Sequence, residues 1–216
     1  MTQNLCSRLE QCYTGAVYDV LRALGHSKQV LPSTLRPVGA TRVLAGPVFT
    51  MEGHPDSSID GHESLLLWTT FLSKAPAGHV VVCQPHDSSF SHMGELSAET
   101  LQFRDVRGYI VDGGCRDTDF IVRIDFPVFC RYVTPMDIVG RWKVTSLGEP
   151  VVIGDVPIRT GDYVLADRDG IVVIPFEIAD EVIRSTERVM QTENQVRKAI
   201  LQGVDPQEAY IKYGKF

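Results

Sequence analysis

The sequence is short of several things, and each shortage excludes a class of protein. Its longest apolar runs, Val80-Val81-Val82-Cys83 and Ile171-Val172-Val173-Ile174, fall far below the roughly 20 residues that span a bilayer. The opening segment, Met1-Thr2-Gln3-Asn4-Leu5-Cys6-Ser7-Arg8, has no apolar signal core, so a mature cytoplasmic protein with no membrane role is expected. Basic residues are outnumbered, 21 against 27 acidic, giving a net charge of -6. No dense Lys/Arg run appears, so nucleic acid is not an expected partner. That acidic balance also repels anionic substrates, which would need a local cation or metal. The cysteines at 6, 12, 83, 115 and 130 form no close metal-binding pair and leave an odd one over, which fits reduced thiols. No repeat, linker or low-complexity stretch is visible.

What is present is an ordinary globular composition. The chain has 216 residues, 44% apolar and 22% charged, enough to bury about 70% of the surface its unfolded form exposes. Thr14 reads as the cap of a helix over 15–24 closed by Gly25, with Ala16, Val17, Val20, Leu21 and Leu24 on one face. Pro32 and Pro37 mark a loop, and residues 40–51 read as a strand interrupted at Gly46-Pro47. Helical patterns at 64–72 and 94–104 alternate with strands at 79–84 and 108–111, which signals an α/β core with parallel strands. Beyond Pro127 the period becomes strand-like, with runs near 128–132, 142–146, 151–153, 163–166 and 171–174. Thr160-Gly161-Asp162 and Arg168-Asp169-Gly170 supply tight turns between them. A long amphipathic helix from about 176 to 201 closes a single domain, its stripe running through Ile178, Val182, Val189, Val196 and Ile200.

Two segments carry candidate chemistry. In 108–117 a buried strand feeds Asp112-Gly113-Gly114 and then delivers Arg116 and Asp117 beyond its carboxyl end, where ligands of α/β sheets gather. Asp117 suits a hard divalent cation, and Arg116 suits a carboxylate or a developing enolate oxygen. The plainer alternatives are a turn, a solvated ion pair and a helix cap. In 91–97 another strand-to-helix turn aims backbone amides at an anion, with Glu95 beside them. Glu95 and Arg116 are separated by 20 residues, and neighbouring strand ends would bring them together.

Gly94-Glu95-Leu96, followed by Asp112-Gly113-Gly114-Cys115-Arg116-Asp117, resembles the RraA-like family, whose catalytic members are class II pyruvate aldolases of the 4-hydroxy-4-methyl-2-oxoglutarate type. That family carries an acid, 20 residues, then Arg-Asp. Glu95 stands where Asp is usual, a departure of one methylene. The helix containing Tyr18-Asp19-Val20-Leu21 and the segment 160–175 are also similar, with Thr160 in place of the usual Pro.

The resemblance implies a three-layer ββα swivelling fold, like phosphohistidine domains, assembled as trimers or paired trimers with active sites between subunits. It implies Mg²⁺ or Mn²⁺ on Asp117 and metal waters oriented by Glu95. Arg116 would contact the substrate, and the backbone at Gly94, Leu96 and Ser97 would receive its carboxylate. A glutamate on the last helix of a neighbouring subunit would complete the metal shell, with Glu193 the nearest candidate. The implied activity is retro-aldol cleavage of a short 2-oxo acid to pyruvate through an enolate, with oxaloacetate decarboxylation at the same site.

Two other readings compete with it. One is a non-catalytic regulator that binds a ribonuclease, as some family members do. The other is a lyase or dehydratase for sugar acids, suggested by the polar segments 87–92 and 56–62. His86 and His92 flank the loop as candidate proton shuttles or as turn residues bonded to backbone. His54 and His62 lack helical i,i+4 spacing, so no zinc site is read, and Cys115 reads as packing.

Overall fold

The computed structural model describes residues 2–39 and 43–215. In chain order its helices are α1 (Thr2–Leu9), α2 (Thr14–Ala23), α3 (Gly61–Lys74), α4 (Glu95–Phe103), α5 (Thr118–Arg123), α6 (Ala179–Leu201) and α7 (Pro206–Tyr213). The strands are β1 (Arg36–Pro37), β2 (Leu44–Pro55), β3 (Val80–Gln84), β4 (Gly108–Val111), β5 (Gly114–Cys115) and β6 (Val128–Cys130). They continue with β7 (Tyr132–Val133), β8 (Trp142–Leu147), β9 (Val151–Ile153), β10 (Val156–Ile158), β11 (Tyr163–Ala166) and β12 (Ile171–Ile174).

The main sheet runs β1-β6-β4-β3-β2-β11-β12, with β8 also paired to β2. Its centre is parallel, β2 to β3 to β4 to β6, while β11 and β8 meet β2 antiparallel. The 12-residue β2 makes this curled sheet possible. Its first part pairs β11 from Leu44 to Pro47, its middle pairs β3, and its end pairs β8 from Met51 to Pro55.

Side-chain alternation then divides the interior. Met51, Val81, Cys83, Tyr109 and Val111 face a core closed by Trp68, Phe71 and Leu72 of α3 and Ala98 and Leu101 of α4. Val48, Val80, Val82 and Ile110 point the other way, onto the β9–β10 hairpin and the inner side of β11–β12. The outer side of β11–β12, Tyr163, Leu165, Val172 and Ile174, is covered by α1, α2 and α6. This is a mixed α/β architecture in which helices and strand layers enclose a curled sheet.

Several sequence expectations shift. Thr14 is the first residue of α2 and not its cap, because its backbone N–H and Oγ1 both donate to Asp167, at 2.9 and 2.8 Å. Gly25 does take the left-handed conformation, at φ +87°. The strand expected from residue 40 begins at Leu44, and 40–42 lie outside the described residues. Gly46-Pro47 does not interrupt it, since both pair with β11. The irregularity comes at Glu52/Gly53, where β8 carries one residue more, Thr145. A Cβ on Gly53 would overlap the Trp142 indole, which explains the glycine.

Candidate active site

Two loops leaving the parallel strands build the site. After β3 the chain runs from Pro85 to Gly94 into α4; after β4 it runs through Asp112-Gly113 into β5 and then to Asp117. The loops are stitched by a bridge between Ser91 and Gly114 and by bonds from His92 N to Gly114 O (2.9 Å) and Arg116 N to Met93 O (2.9 Å). That stitching brings Glu95 beside Arg116 and Asp117. The glycines of the Asp-Gly-Gly motif serve close approach: a Cβ at Gly113 would lie 2.7 Å from His92 Nδ1, and one at Gly114 only 2.5 Å from Phe90 O.

The resulting pocket, about 310 Å³, is lined by Gly94, Glu95, Leu96, Ser97, Arg116 and Asp117, so every pocket residue expected from the sequence lies in it. Asp117 sits at the helix-capping position of α5 in the left-handed region, φ 55°, yet its side chain caps nothing there. Instead Oδ2 accepts the Glu95 backbone N–H at 3.0 Å. An Asp tolerates that backbone conformation better than most side chains, and the geometry turns its carboxylate across to α4. Arg116 lies between two acids, 3.6 Å from Asp117 Oδ2 and 3.5 Å from Asp137 Oδ2, with its side chain 40% exposed.

The N-terminus of α4 opens into the same space. Gly94 offers no side-chain cap, so the amides of Leu96 and Ser97 belong to the first turn, whose N–H groups lack helical partners. Ser97 Oγ accepts Trp68 Nε1–H at 2.9 Å, which fixes that turn against α3. Leu65, Trp68, Leu72, Ile138 and Val139 form the apolar wall.

Four polar lining groups were not assigned from the sequence as site residues: Thr69, Ser91, Asp137 and the buried His92. From the sequence, His92 is a candidate shuttle or a turn residue bonded to backbone. Its ring is fully buried, neither nitrogen has a hydrogen-bond partner among the described residues, and Nε2 lies 3.5 Å from Asp87 Oδ2. Burial pushes its pKa down to about 4, partly countered by the Asp87 charge. His86 points elsewhere, its Nε2 2.8 Å from Glu52 Oε1, which accepts. Glu193 stands apart from the pocket on α6, bonded to Tyr13 and 3.6 Å from Lys215. Cys115 is buried and its thiol is raised, chiefly by its bond with Cys130, so it is protonated packing.

The donor set fits a hard cation. Asp117 presents carboxylate oxygen, Glu95 and Asp137 stand on the same pocket wall, and the absent Cβ of Gly94 leaves Asp117 Oδ2 clear where a methyl group would come within 2.8 Å. Mg²⁺ and Mn²⁺ suit one or two carboxylates with water in the remaining positions. Among the described residues, the one group of three His, Cys, Asp or Glu side chains whose ligand atoms all lie within 4.8 Å of one another is elsewhere: Glu52, His54 and His86. His54 meets its partners across the sheet and not along a helix, so no i,i+4 spacing marks them.

Fold and pocket together define a mixed α/β protein with a small carboxylate–guanidinium site beyond the ends of parallel strands. The chain belongs to the RraA-like family, described as Aldolase/RraA, whose profile matches residues 14–173. It is 25% identical over 202 residues, 92% of its length and 90% of the relative's, to a Halalkalibacterium halodurans protein named "Putative 4-hydroxy-4-methyl-2-oxoglutarate aldolase". It also matches Legionella pneumophila protein DlpA at 26% identity across 97% of this chain, which spans only 34% of DlpA.

Among solved structures, one described as novel cellulases from microbes of the gut ecosystem superposes with TM-score 0.85 at 35% identity, covering 90% of this chain and 87% of that one. Streptomyces coelicolor RraAS2, described as an unusual member of the RNase ES inhibitor RraA family, superposes with TM-score 0.78 at 25% identity over 90% and 96% of the two chains. The family thus holds proteins named as aldolases and proteins named as ribonuclease inhibitors. Among the described residues no helix is long and apolar enough to cross a membrane.

Proposed function

We propose that the pocket is the active site of a divalent-metal-dependent lyase that cleaves short 2-oxo acids to pyruvate. The observation that carries the reading is the convergence of Glu95, Arg116, Asp117 and the open first turn of α4 on one cavity of about 310 Å³. A regulator that acts only by surface contact has no need of such a cavity.

Asp117 would hold Mg²⁺ or Mn²⁺, which supplies Lewis-acid polarisation of the 2-oxo group when bound. The amides of Leu96 and Ser97 receive the substrate carboxylate at the helix N-terminus. Arg116 points its guanidinium at the 2-oxo oxygen, where negative charge develops. For a 4-hydroxy substrate the C4 hydroxyl loses its proton, the C3–C4 bond breaks, C4 becomes a carbonyl, and the bonding pair passes to C3 as pyruvate enolate. Glu95, exposed at the mouth, holds the water that takes this proton. For oxaloacetate the same C3–C4 cleavage releases CO₂, and protonation at C3 completes either reaction.

Two features support the short substrate over a sugar acid. Asp87 is engaged by the Ser89 and Phe90 amides, and Asp56 by Ser58 and Lys143, so the polar loops are occupied by their own bonds. The pocket's own hydroxyls are also engaged, Thr69 with Leu65 O, Ser91 with Met93 O and Ser97 with Trp68 Nε1. Exposed Leu65, Leu66 and Leu96 lie at or beside the pocket mouth and support an assembly in which another copy, in a trimer or hexamer, covers it.

The test is pyruvate release from 4-hydroxy-4-methyl-2-oxoglutarate and from oxaloacetate, with Mg²⁺ and with EDTA. Turnover above the metal-only background, removed by EDTA and by Asp117→Ala, is expected. Silence on both substrates, or full activity in Asp117→Ala, overturns the assignment.

A further inference from the structure

On the sheet face opposite the pocket, Glu52 and His54 lie two residues apart near the end of β2, on the side away from Met51 and Gly53. Glu52 stands level with Gln84, the last residue of β3. Two residues further, the chain turns at His86 in the left-handed region, φ 48°, and lays its imidazole over that of His54. The rings stack with centroids 4.2 Å apart and planes within 5°. Nε2 of His86 is 2.8 Å from Glu52 Oε1, and Nε2 of His54 is 4.0 Å from the same oxygen. Three ligand-bearing groups from two strand ends therefore converge on one point, and none of them lines the pocket.

The surroundings favour a cation there. Ser146 Oγ approaches Glu52 Oε2 at 3.5 Å, a second contact that orients the carboxylate. Lys143, level with His54, is held by Asp56 at 2.7 Å and its charge is directed to that acid. Two imidazoles and one carboxylate are the donor set of zinc-type ions, whereas Mg²⁺ and Ca²⁺ prefer all-oxygen shells. Parallel rings must splay for both nitrogens to reach one ion, and at 48% and 40% exposure the two side chains have room to turn.

We propose that Glu52, His54 and His86 form a second metal site, for Zn²⁺ or a similar late first-row divalent ion, separate from the Asp117 pocket. Three protein ligands leave an open position for water or an anionic ligand. The test is equilibrium dialysis of the metal-free full chain against Zn²⁺ in excess Mg²⁺, with the visible absorption of the Co²⁺ form as a second readout. One Zn²⁺ per chain is expected, with a Co²⁺ spectrum of nitrogen ligation. His54→Ala and His86→Asn should each weaken uptake about tenfold or more, Asn being chosen because it tolerates the left-handed backbone. Asp117→Ala should leave uptake unchanged. Absence of stoichiometric uptake, uptake that persists in the His54→Ala/His86→Asn double variant, or uptake lost in Asp117→Ala overturns the site. Binding is read without turnover, so the result is independent of the lyase reading.

Discussion

Gly94→Ala is the sharpest perturbation of the proposed active site. The backbone there is extended, φ -149° and ψ -178°, so alanine meets no conformational penalty and any effect comes from its methyl group. That carbon would stand 2.8 Å from Asp117 Oδ2 and 3.2 Å from both Cγ and Nε of Arg116. Ordinary contact requires these groups to retreat by roughly 0.5–1 Å, which moves the carboxylate and the guanidinium together. The Glu95 N–H bond to Asp117, 3.0 Å in the native chain, has to lengthen or bend as well. Misplacement on this scale costs about 100-fold in turnover, equivalent to roughly 3 kcal/mol of transition-state stabilisation. Overpacking at this half-open site should cost about 1 kcal/mol of stability, the low end of the usual range. The assay is kcat/KM for pyruvate release beside a urea titration of the same preparation. A Gly94→Ala chain with native kcat/KM would refute the claim that this junction positions the reacting groups. A chain that loses activity only because it unfolds would show in the titration.

Three further outcomes follow from the same geometry. Arg116→Lys keeps the charge but loses the planar fork, so kcat/KM should fall about 100-fold; a native value would remove Arg116 from the chemistry. His92, with its pKa pushed down to about 4 by burial, stays neutral in the fold while the unfolded chain takes up a proton near pH 6.5. Its contribution is therefore complete above about pH 6.5 and is lost as pH falls toward 4, by at most about 3 kcal/mol. Urea titrations across that window should show a shallower acid decline for His92→Leu than for the native chain, and equal declines would contradict the burial argument. Trp142→Ala removes a fully buried indole that donates to Pro85 O at 2.8 Å and edges His92 at 5.0 Å. It should destabilise the fold by about 3–5 kcal/mol, and a loss below 1 kcal/mol in a urea titration would deny Trp142 its place in the core.

The elements most legible in the sequence were those with uninterrupted apolar pattern. The strands at 80–84, 108–111, 163–166 and 171–174 and the helix at 95–103 lie within a residue or so of where their periodicity puts them. Elements held mainly by tertiary contact were not visible. α1 is a short helix whose buried Cys6 and Leu9 join the core against α2 and α6, and nothing local marks its start. α7 does carry a local signal: Asp205 accepts the Gln207 and Glu208 amides, Pro206 opens the helix, and Gly214 ends it at φ 68°. The turn motif at 160–170 resembles the family's, but its acids serve the fold. Asp162 is buried and takes the Arg159 and Phe176 amides, and Asp167 holds Thr14.

The two proposed sites differ in legibility because of how strands display residues. In the pocket, the groups come from adjacent loops of one parallel pair, so the motif at 94–97 and the motif at 112–117 each remain contiguous in the chain. A residue such as Asp137 enters that pocket from a third segment and leaves no trace in either motif. The Glu52–His54–His86 cluster depends instead on β-sheet register: Glu52 opposite Gln84 sets His86 within reach, while strand alternation sends Met51 and Gly53 to one core and Glu52 and His54 to the opposite face. A slip of one residue in the β2–β3 pairing would turn Glu52 and His54 toward the Trp142 side and dissolve the cluster. On its other side β2 meets β8 through Gly53, where a Cβ would overlap the Trp142 indole and force the two strands apart. The same glycine thus lets the Trp142 indole close in beside His92, on the face opposite Glu52 and His54.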